Sequence, residues 1–480
     1  MADTPPGGPP PPPTAPAVPS SGAAAPRMPL RRRGWPRILV LVGVVLLIAA
    51  CAVYMLYTLG SNLGLDALLI GVAAAVLPVP VLVACFLWLD RYEPEPLKYL
   101  IFCFLWGAFV STAASLRVNE TAAALFKDWG LSSALTGVLV APFIEELTKA
   151  LGPILLLVFR RREWSGITDG LVYCGLSAVG FAMVENILYL GGYGYASGAD
   201  QWGPATGVRQ VFAIFITRIL FFGFAHPLFT SMTGVGLGIA ARTADRRVRI
   251  LAPAAGLLLA MMLHGTWNLL PTLVQATGEL VIFMYGIVGL MVPIFFGMVG
   301  FAVWLRAWEG RLTERTLPDY VRAGWLTPPE VATLGSLGRR HAARTWARRV
   351  GGDPGLRAMR GYQFAATRLA LLRDGMRRGL DRKPADRERT LREERELLEA
   401  IAAYRTFFAG RDPQAPVGVW DGQRYHLRFP DGSQRAVEAP DSPVVPVPVV
   451  LAPPAPAHPG YGPPGWYAPS PAPPWPPGPA

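Results

Sequence analysis

The sequence predicts an all-α fold: a polytopic membrane helix bundle of about eight spans, a soluble helical C-terminal extension, and disordered Pro-rich tails. Three observations predict it. The chain of 480 residues is 52% hydrophobic and only 16% charged, whereas soluble domains carry about 25% charged residues. Apolar runs of about 20 residues, the length that crosses a bilayer, recur through its first two thirds. Basic residues cluster in every second gap between those runs, as the positive-inside rule requires of a chain that threads a membrane repeatedly.

Residues 1–30 are Pro, Ala and Gly almost without charge, and they lack the apolar surface to fold. A membrane core is then expected over 31–305, with spans at 38–59, 66–89, 99–116, 131–159, 168–192, 211–241, 250–271 and 280–305. Arg31–Arg33 with Arg37, Arg91 with Lys98, Arg160–Arg162, Arg242 with Arg246, Arg247 and Arg249, and Arg306 fill alternate gaps. The other gaps carry only Arg117, Lys127 and Arg209. This alternation places both termini in the cytosol of a multi-pass protein of the cell membrane. The run Ile48-Ala49-Ala50-Cys51 has the look of a leader cleavage box, but the apolar stretch continues past Cys51 to Leu59, so the span is expected to stay.

Residues 306–438 form an Arg-rich cytosolic region. Thr327-Pro328-Pro329-Glu330 is a helix start with a capping box, and further helices are expected near 356–378 and 386–408. Asp421-Gly422 and Asp431-Gly432 are turn signals for a small hairpin element over 418–437. Residues 439–480 return to Pro-rich low complexity. The net charge of +12 is accounted for by loop topology and this extension, with the lipid bilayer as partner and no nucleic acid. Cys51, Cys85, Cys103 and Cys174 all lie in apolar runs without metal-ligand spacing, so no disulfide framework is expected.

Ionisable groups inside a span cost several kcal/mol and are functional candidates by default. Glu145, Glu146 and Lys149 share the fourth span, Glu185 and Asn186 the fifth, Arg218 and His226 the sixth, His264 and Asn268 the seventh. Lys149 lies four residues from Glu145 and three from Glu146, so it is expected to pair with one carboxylate while the other points elsewhere. His264 and Asn268, four apart, share a helix face. Pro142 and Pro227 each free a backbone carbonyl beside a motif, and loosened backbone at membrane depth is tolerated where it lines a water-containing cavity. Glu145, Glu146 and Glu185 face only Lys149 and Arg218 as cations. One carboxylate is therefore protonated, or a divalent cation sits among them; zinc, which takes N and O ligands, would suit. Taken singly, each motif also has a structural reading: an intrahelical ion pair for Glu145–Lys149, helix–helix contacts for the histidines, a counter-ion role for Arg218. Asp169 reads as an interfacial residue or a helix cap, and Glu93 and Glu95 as solvated loop residues.

The ordered set Glu145-Glu146-x-x-Lys149, Phe181-x-x-x-Glu185-Asn186, His226 and His264-x-x-x-Asn268, preceded by Asp90-Arg91-Tyr92-Glu93-Pro94-Glu95-Pro96, resembles the PrsW family of bacterial intramembrane metalloproteases, related to the type II CAAX prenyl endopeptidases. The resemblance covers about residues 85–305. It implies an endopeptidase acting on a membrane-embedded protein, with single-pass regulatory proteins such as anti-sigma factors as a substrate class. It implies that Glu145 or Glu146 activates the water, with Glu146 preferred. His226 and His264 would bind Zn2+ or steady the oxyanion, and Asn268 would donate to that oxyanion. Glu185 stands where the CAAX enzymes place a histidine, so a metal-free Glu/His mechanism stays open. Against this stand a proton-coupled transporter, for which no inverted repeat is visible, and a non-catalytic membrane scaffold.

Overall fold

The computed structural model describes residues 35–132, 134–409, 417–420, 423–428, 434–438 and 449–451. Eight long helical segments follow the expected order: α1 Trp35–Leu63, α2 Leu65–Leu89, α3 Leu97–Asp128, α4 136–160, α5 Ile167–Trp202, α6 Pro204–Ala241, α7 Arg246–Thr277 and α8 Leu280–Arg322. Seven of them are long and apolar enough to cross a membrane. The one outside that set is α4, because any 18-residue stretch of 136–160 contains Glu145, Glu146 and Lys149 together.

Helix α5 is the axis of the bundle, with 83% of its most apolar stretch buried against 6% for α1. Its glycines explain how. Gly170, Gly175 and Gly180 are five residues apart, and each step of five turns about 140° round a helix. They therefore face three directions and admit three neighbours. A Cβ on Gly170 would lie 2.0 Å from the Gly234 carbonyl of α6, on Gly175 2.1 Å from the Phe86 ring of α2, and on Gly180 2.1 Å from the Phe104 carbonyl of α3. Small residues are what allow helix backbones to meet this closely in a membrane.

The C-terminal extension has its own core. After α8 come α9 Pro328–Leu334, α10 Leu337–Arg377, which kinks at Gly352, and α11 Pro384–Arg405. Leu326, Leu334, Met359, Leu369, Leu397 and Ile401 are fully buried among them. The expected capping box is present, with the Thr327 N–H donating to Glu330 at 2.8 Å. The hairpin element is larger than expected. Strands β1 Val417–Trp420, β2 Tyr425–Arg428 and β3 Gln434–Val437 run antiparallel, and β4 Val449–Leu451 joins β1 in parallel. These last three residues lie in the stretch expected to be disordered; their β-branched and aliphatic run gives β1 a partner. The turn signals at 421–422 and 431–432, the N-terminal tail and the remainder of 439–480 lie outside the described residues.

The extension docks on one end of the bundle, and the Arg-bearing gaps converge there. Arg340 donates to the Tyr92 carbonyl at 3.0 Å and Tyr92 Oη to the Gly335 carbonyl at 3.2 Å, joining α10 to the α2–α3 loop. Arg242, in the α6–α7 gap, pairs with Asp374 of α10 and donates to the Ser165 carbonyl of the α4–α5 gap at 2.9 Å. Asp169 caps α5 as expected, accepting from the Gly166 N–H at 3.2 Å.

The structure overturns the expectation that Glu93 and Glu95 are solvated: Glu93 is half-buried and Glu95 buried. Asp90 is 5% and Glu95 9% exposed. The Glu95 N–H donates to Asp90 Oδ2 at 2.7 Å, and Tyr173 Oη donates to Glu95 Oε2 at 2.5 Å. Burial pushes Asp90 up to about 9 and Glu95 up to about 11, with Asp169 adding to the effect on Glu95. Both acids hold protons in the folded protein at pH values where the unfolded chain has released them, so stability falls as pH rises from about 4 toward those values. Thermal unfolding of the solubilised protein is accordingly expected to shift downward between pH 5 and pH 8. Glu95→Gln, which keeps an acceptor for Tyr173 and cannot ionise, should flatten that slope; an unchanged slope would show that Glu95 is ionised in place.

Candidate active site

Helix α4 brings in the first group. Its initial turn, Thr136–Val140, is π-helical and runs up to Pro142, whose missing N–H leaves the Val138 carbonyl without its helical partner. Immediately beyond, Glu146 and Lys149 are fully buried and Glu145 is 6% exposed. Lys149 Nζ lies 2.7 Å from Glu146 Oε1 and 3.6 Å from Glu145 Oε2. It thus bridges both carboxylates, where the spacing suggested one. It also sits 4.1 Å above the Phe181 ring, which gives the aromatic residue of the α5 motif a cation–π role.

The two histidines arrive from α6 and α7. Helix α6 is interrupted at 222–224, and its following segment begins at Ala225, so His226 stands in the first turn after the break with Pro227 beside it. His226 Nε2 lies 2.8 Å from Glu185 Oε2, and its Nδ1 3.1 Å from Lys149 Nζ. His264 Nδ1 lies 2.9 Å from Glu146 Oε1, and its Nε2 3.8 Å from Glu145 Oε2. With ionised carboxylates as acceptors, the partners assign the tautomers: Nε2–H on His226 and Nδ1–H on His264. Each imidazole is oriented by its own carboxylate; the other nitrogen of His264 faces Glu145, and that of His226 accepts from Lys149. The rings are 5.0 Å apart and nearly perpendicular, and Phe229 stacks on His264 at 5.3 Å.

Glu185 is shared. Arg218 Nη2 donates to its Oε2 at 2.6 Å, while Arg218 Nε donates to Asn186 Oδ1 at 2.9 Å. The Arg218 guanidinium lies 3.5 Å from the centre of the Tyr189 ring. Arg218 is therefore the counter-ion that its position on a span suggested. The Glu185 and Arg218 side chains are 18% and 25% exposed, so this is the side on which the site opens.

The carboxylates of α4 differ in a way that spacing alone did not indicate. Glu146 is saturated: Oε1 accepts from Lys149 and His264, and Oε2 accepts from Thr230 Oγ1 at 2.7 Å. Glu145 Oε2 is buried without a hydrogen-bond partner. Its other oxygen receives Asn119 Nδ2 at 3.4 Å, and Asn119 Oδ1 is itself buried and unpartnered. Asn119 and Thr230 escaped the sequence reading. Thr230 stands four residues after His226, the same spacing that flagged Asn268 after His264. Asn119 gave no signal, because it falls where a loop was expected and α3 in fact continues to Asp128. Asn268 donates Nδ2 to the Gly137 carbonyl at 2.8 Å, so it holds the π-helical turn that precedes Glu145.

Donor atoms of Glu145, His226 and His264 all lie within 4.8 Å of one another. Two imidazole nitrogens and one carboxylate oxygen form a zinc-type donor set that leaves a position for water. The unpartnered Glu145 Oε2 and the carboxylate behind each histidine are features of such a site, so these residues fit a metal that replaces Lys149 at His226 Nδ1.

Residues 95–298 match the family described as PrsW family intramembrane metalloprotease. Among curated proteins, the chain is 30% identical over 197 residues to Protease PrsW of Geobacillus kaustophilus (strain HTA426), covering 41% of this chain and 77% of that protein. It is 26% identical over 202 residues to Protease PrsW of Bacillus subtilis (strain 168), covering 42% of this chain and 82% of the relative. Protease PrsW of Clostridioides difficile (strain 630) is 34% identical over 115 residues, or 23% of this chain and 48% of that protein. No solved structure matches the chain.

Proposed function

The chain belongs to the PrsW family of intramembrane proteases, and from that membership we propose that it cleaves a peptide bond of a membrane-embedded protein at the Glu145–His226–His264 centre. The carrying observation is the unpartnered, buried Glu145 Oε2 facing two histidines, each of which has a different carboxylate behind it. Substrates are single-pass regulatory membrane proteins such as anti-sigma factors, and the Arg-rich end of the bundle faces the cytosol with both termini.

Within that donor set, zinc held by His226 and His264 would lower the pKa of a water and polarise the scissile carbonyl, while Glu145 Oε2 stays uncoordinated. The protein's own groups prepare that chemistry. Glu145 supplies the one carboxylate oxygen of the pair free to take a proton from the attacking water. Glu146, with both oxygens bonded, fixes His264; Glu185, held by Arg218, fixes His226. Lys149 sets a buried positive charge beside Glu145, Glu146 and His226 and so favours negative charge developing in the pocket. Water reaches this depth on the side of Glu185 and Arg218, next to the break in α6, while Phe181 and Phe229 wall the histidines from lipid.

Two readouts test the proposal. Membrane-protein fragments ending in or beside a single span are expected in cells with the wild-type chain and absent with His226→Ala/His264→Ala. Purified wild type should bind one zinc per chain by equilibrium dialysis, and the double variant none. Unchanged fragments with the double variant would remove this centre as the site of hydrolysis, and equal zinc content in both proteins would remove it as the metal site.

A further inference from the structure

A cavity lined by none of these residues lies at the Arg-rich end of the bundle. It has a volume of about 370 Å³ and is bounded by the first turn of α5, the end of α6, the start of α7, α8 around Trp304–Glu309, and Arg378 of the extension. These are the places where four spans reach the membrane boundary, which sets the cavity at headgroup depth.

Its walls have two characters. Ile239, Val248 and Trp304 line one side and are 36%, 38% and 52% exposed, so this wall is continuous with the lipid-facing surface. Arg242 and Arg378 line the other. Arg378 engages Asp374 through Nε alone, which leaves the terminal nitrogens of its guanidinium as donors. Arg242 donates to Asp374 and to the Ser165 carbonyl, and it lies 5.1 Å from the centre of the Trp308 ring. Glu309 is the carboxylate on the wall. Around it the same boundary carries Arg160, Arg161, Arg246, Arg247 and Arg249, a positive field that favours an anionic ligand.

We propose that this cavity binds one anionic phospholipid, with its phosphate on the terminal nitrogens of Arg378 and an acyl chain along Ile239, Val248 and Trp304. A free phosphate would have no use for the apolar wall, and a zwitterionic lipid would bring a second cation into an arginine cluster. A tryptophan at the wall suits an acyl–headgroup junction. The site is separate from the proteolytic centre and does not depend on it.

The test is native mass spectrometry of the delipidated full-length protein, titrated with phosphatidylglycerol, with phosphatidylcholine, and with inorganic phosphate as competitor. The expected result is one phosphatidylglycerol bound at least about tenfold more tightly than phosphatidylcholine. Arg378→Gln should weaken it by about tenfold, the effect of one charge-assisted hydrogen bond, and Trp304→Ala should weaken it while leaving the preference for the anionic lipid. Both side chains are substantially exposed, so these variants should fold. Equal binding of the two lipids, or an Arg378→Gln protein that binds like wild type, would overturn the proposal. So would full displacement by millimolar phosphate together with indifference to Trp304→Ala, the signature of a free-anion site.

Discussion

Glu145→Gln is expected to lower peptide hydrolysis by about 10²- to 10⁴-fold, the range for loss of a general base, with little change in thermal stability. Glutamine keeps an oxygen for Asn119, and the altered atom, Oε2, has no hydrogen bond to lose, only the longer 3.6 Å ion pair with Lys149, which keeps its 2.7 Å contact with Glu146. Glu146→Gln should behave differently. It disturbs an acceptor that serves Lys149, His264 and Thr230 together, so activity and stability should fall in parallel. Site-specific cleavage of a reconstituted single-span substrate, beside melting curves for both variants, separates the two roles. A well-folded but inactive Glu146→Gln protein alongside an active Glu145→Gln would transfer the proton-accepting role to Glu146. The choice of Glu145 is thus a reversal driven by geometry, since the family resemblance had pointed to Glu146.

The manner of that reversal shows which information a sequence carries. Contacts along one helix follow from spacing, so a Lys149–carboxylate pair and the Thr327–Glu330 cap were legible, though Lys149 reaches both glutamates where one was expected. Contacts between helices depend on how each is rotated about its axis. In a soluble protein hydropathy reveals that rotation, but in a membrane both the lipid-facing and the buried surfaces are apolar. Here α1 is the most apolar of the spans and the least buried, while α5 is among the least apolar and the most buried. The informative signal for α5 was its glycines, and these say where backbones meet without naming the neighbour. Hence the order of the motifs was readable, yet Thr230 behind Glu146 and Asn119 beside Glu145 were not.

Burial of the α2–α3 loop escaped for a related reason. Asp90-Arg91-Tyr92-Glu93-Pro94-Glu95-Pro96 has the composition of a solvated turn, and nothing local says that a domain more than 200 residues later will cover it. The Arg-rich gaps were read correctly as alternating, and the structure adds that the gaps at 90–96, 161–166 and 242–245 meet at one end. The arginines there do two jobs. Some mark topology, while Arg242 and Arg340 fasten the extension to the core.

Lys149→Met is expected to be the most destabilising single change in the core, at about 3–5 kcal/mol, the cost of removing one partner from a buried ion pair. Lys149 Nζ is fully buried and lies 2.7 Å from Glu146, 3.6 Å from Glu145 and 3.1 Å from His226 Nδ1. Without it, Glu145, Glu146 and Glu185 share Arg218 as their only cation within a span, and Arg218 is committed to Glu185 and Asn186. The protein must then take up a proton or admit water at the centre. Either course breaks the alignment of His226 and His264, so hydrolysis should disappear with stability. Adding Glu146→Gln to Lys149→Met removes the stranded charge and should restore part of the melting temperature. It should restore none of the activity, because His264 would still lack its ionised partner. Strong coupling of this kind in stability is the mark of groups that share one network. Stability losses that simply add would mean that Lys149 and Glu146 contribute independently, and the picture of a cation holding the two carboxylates together would fail.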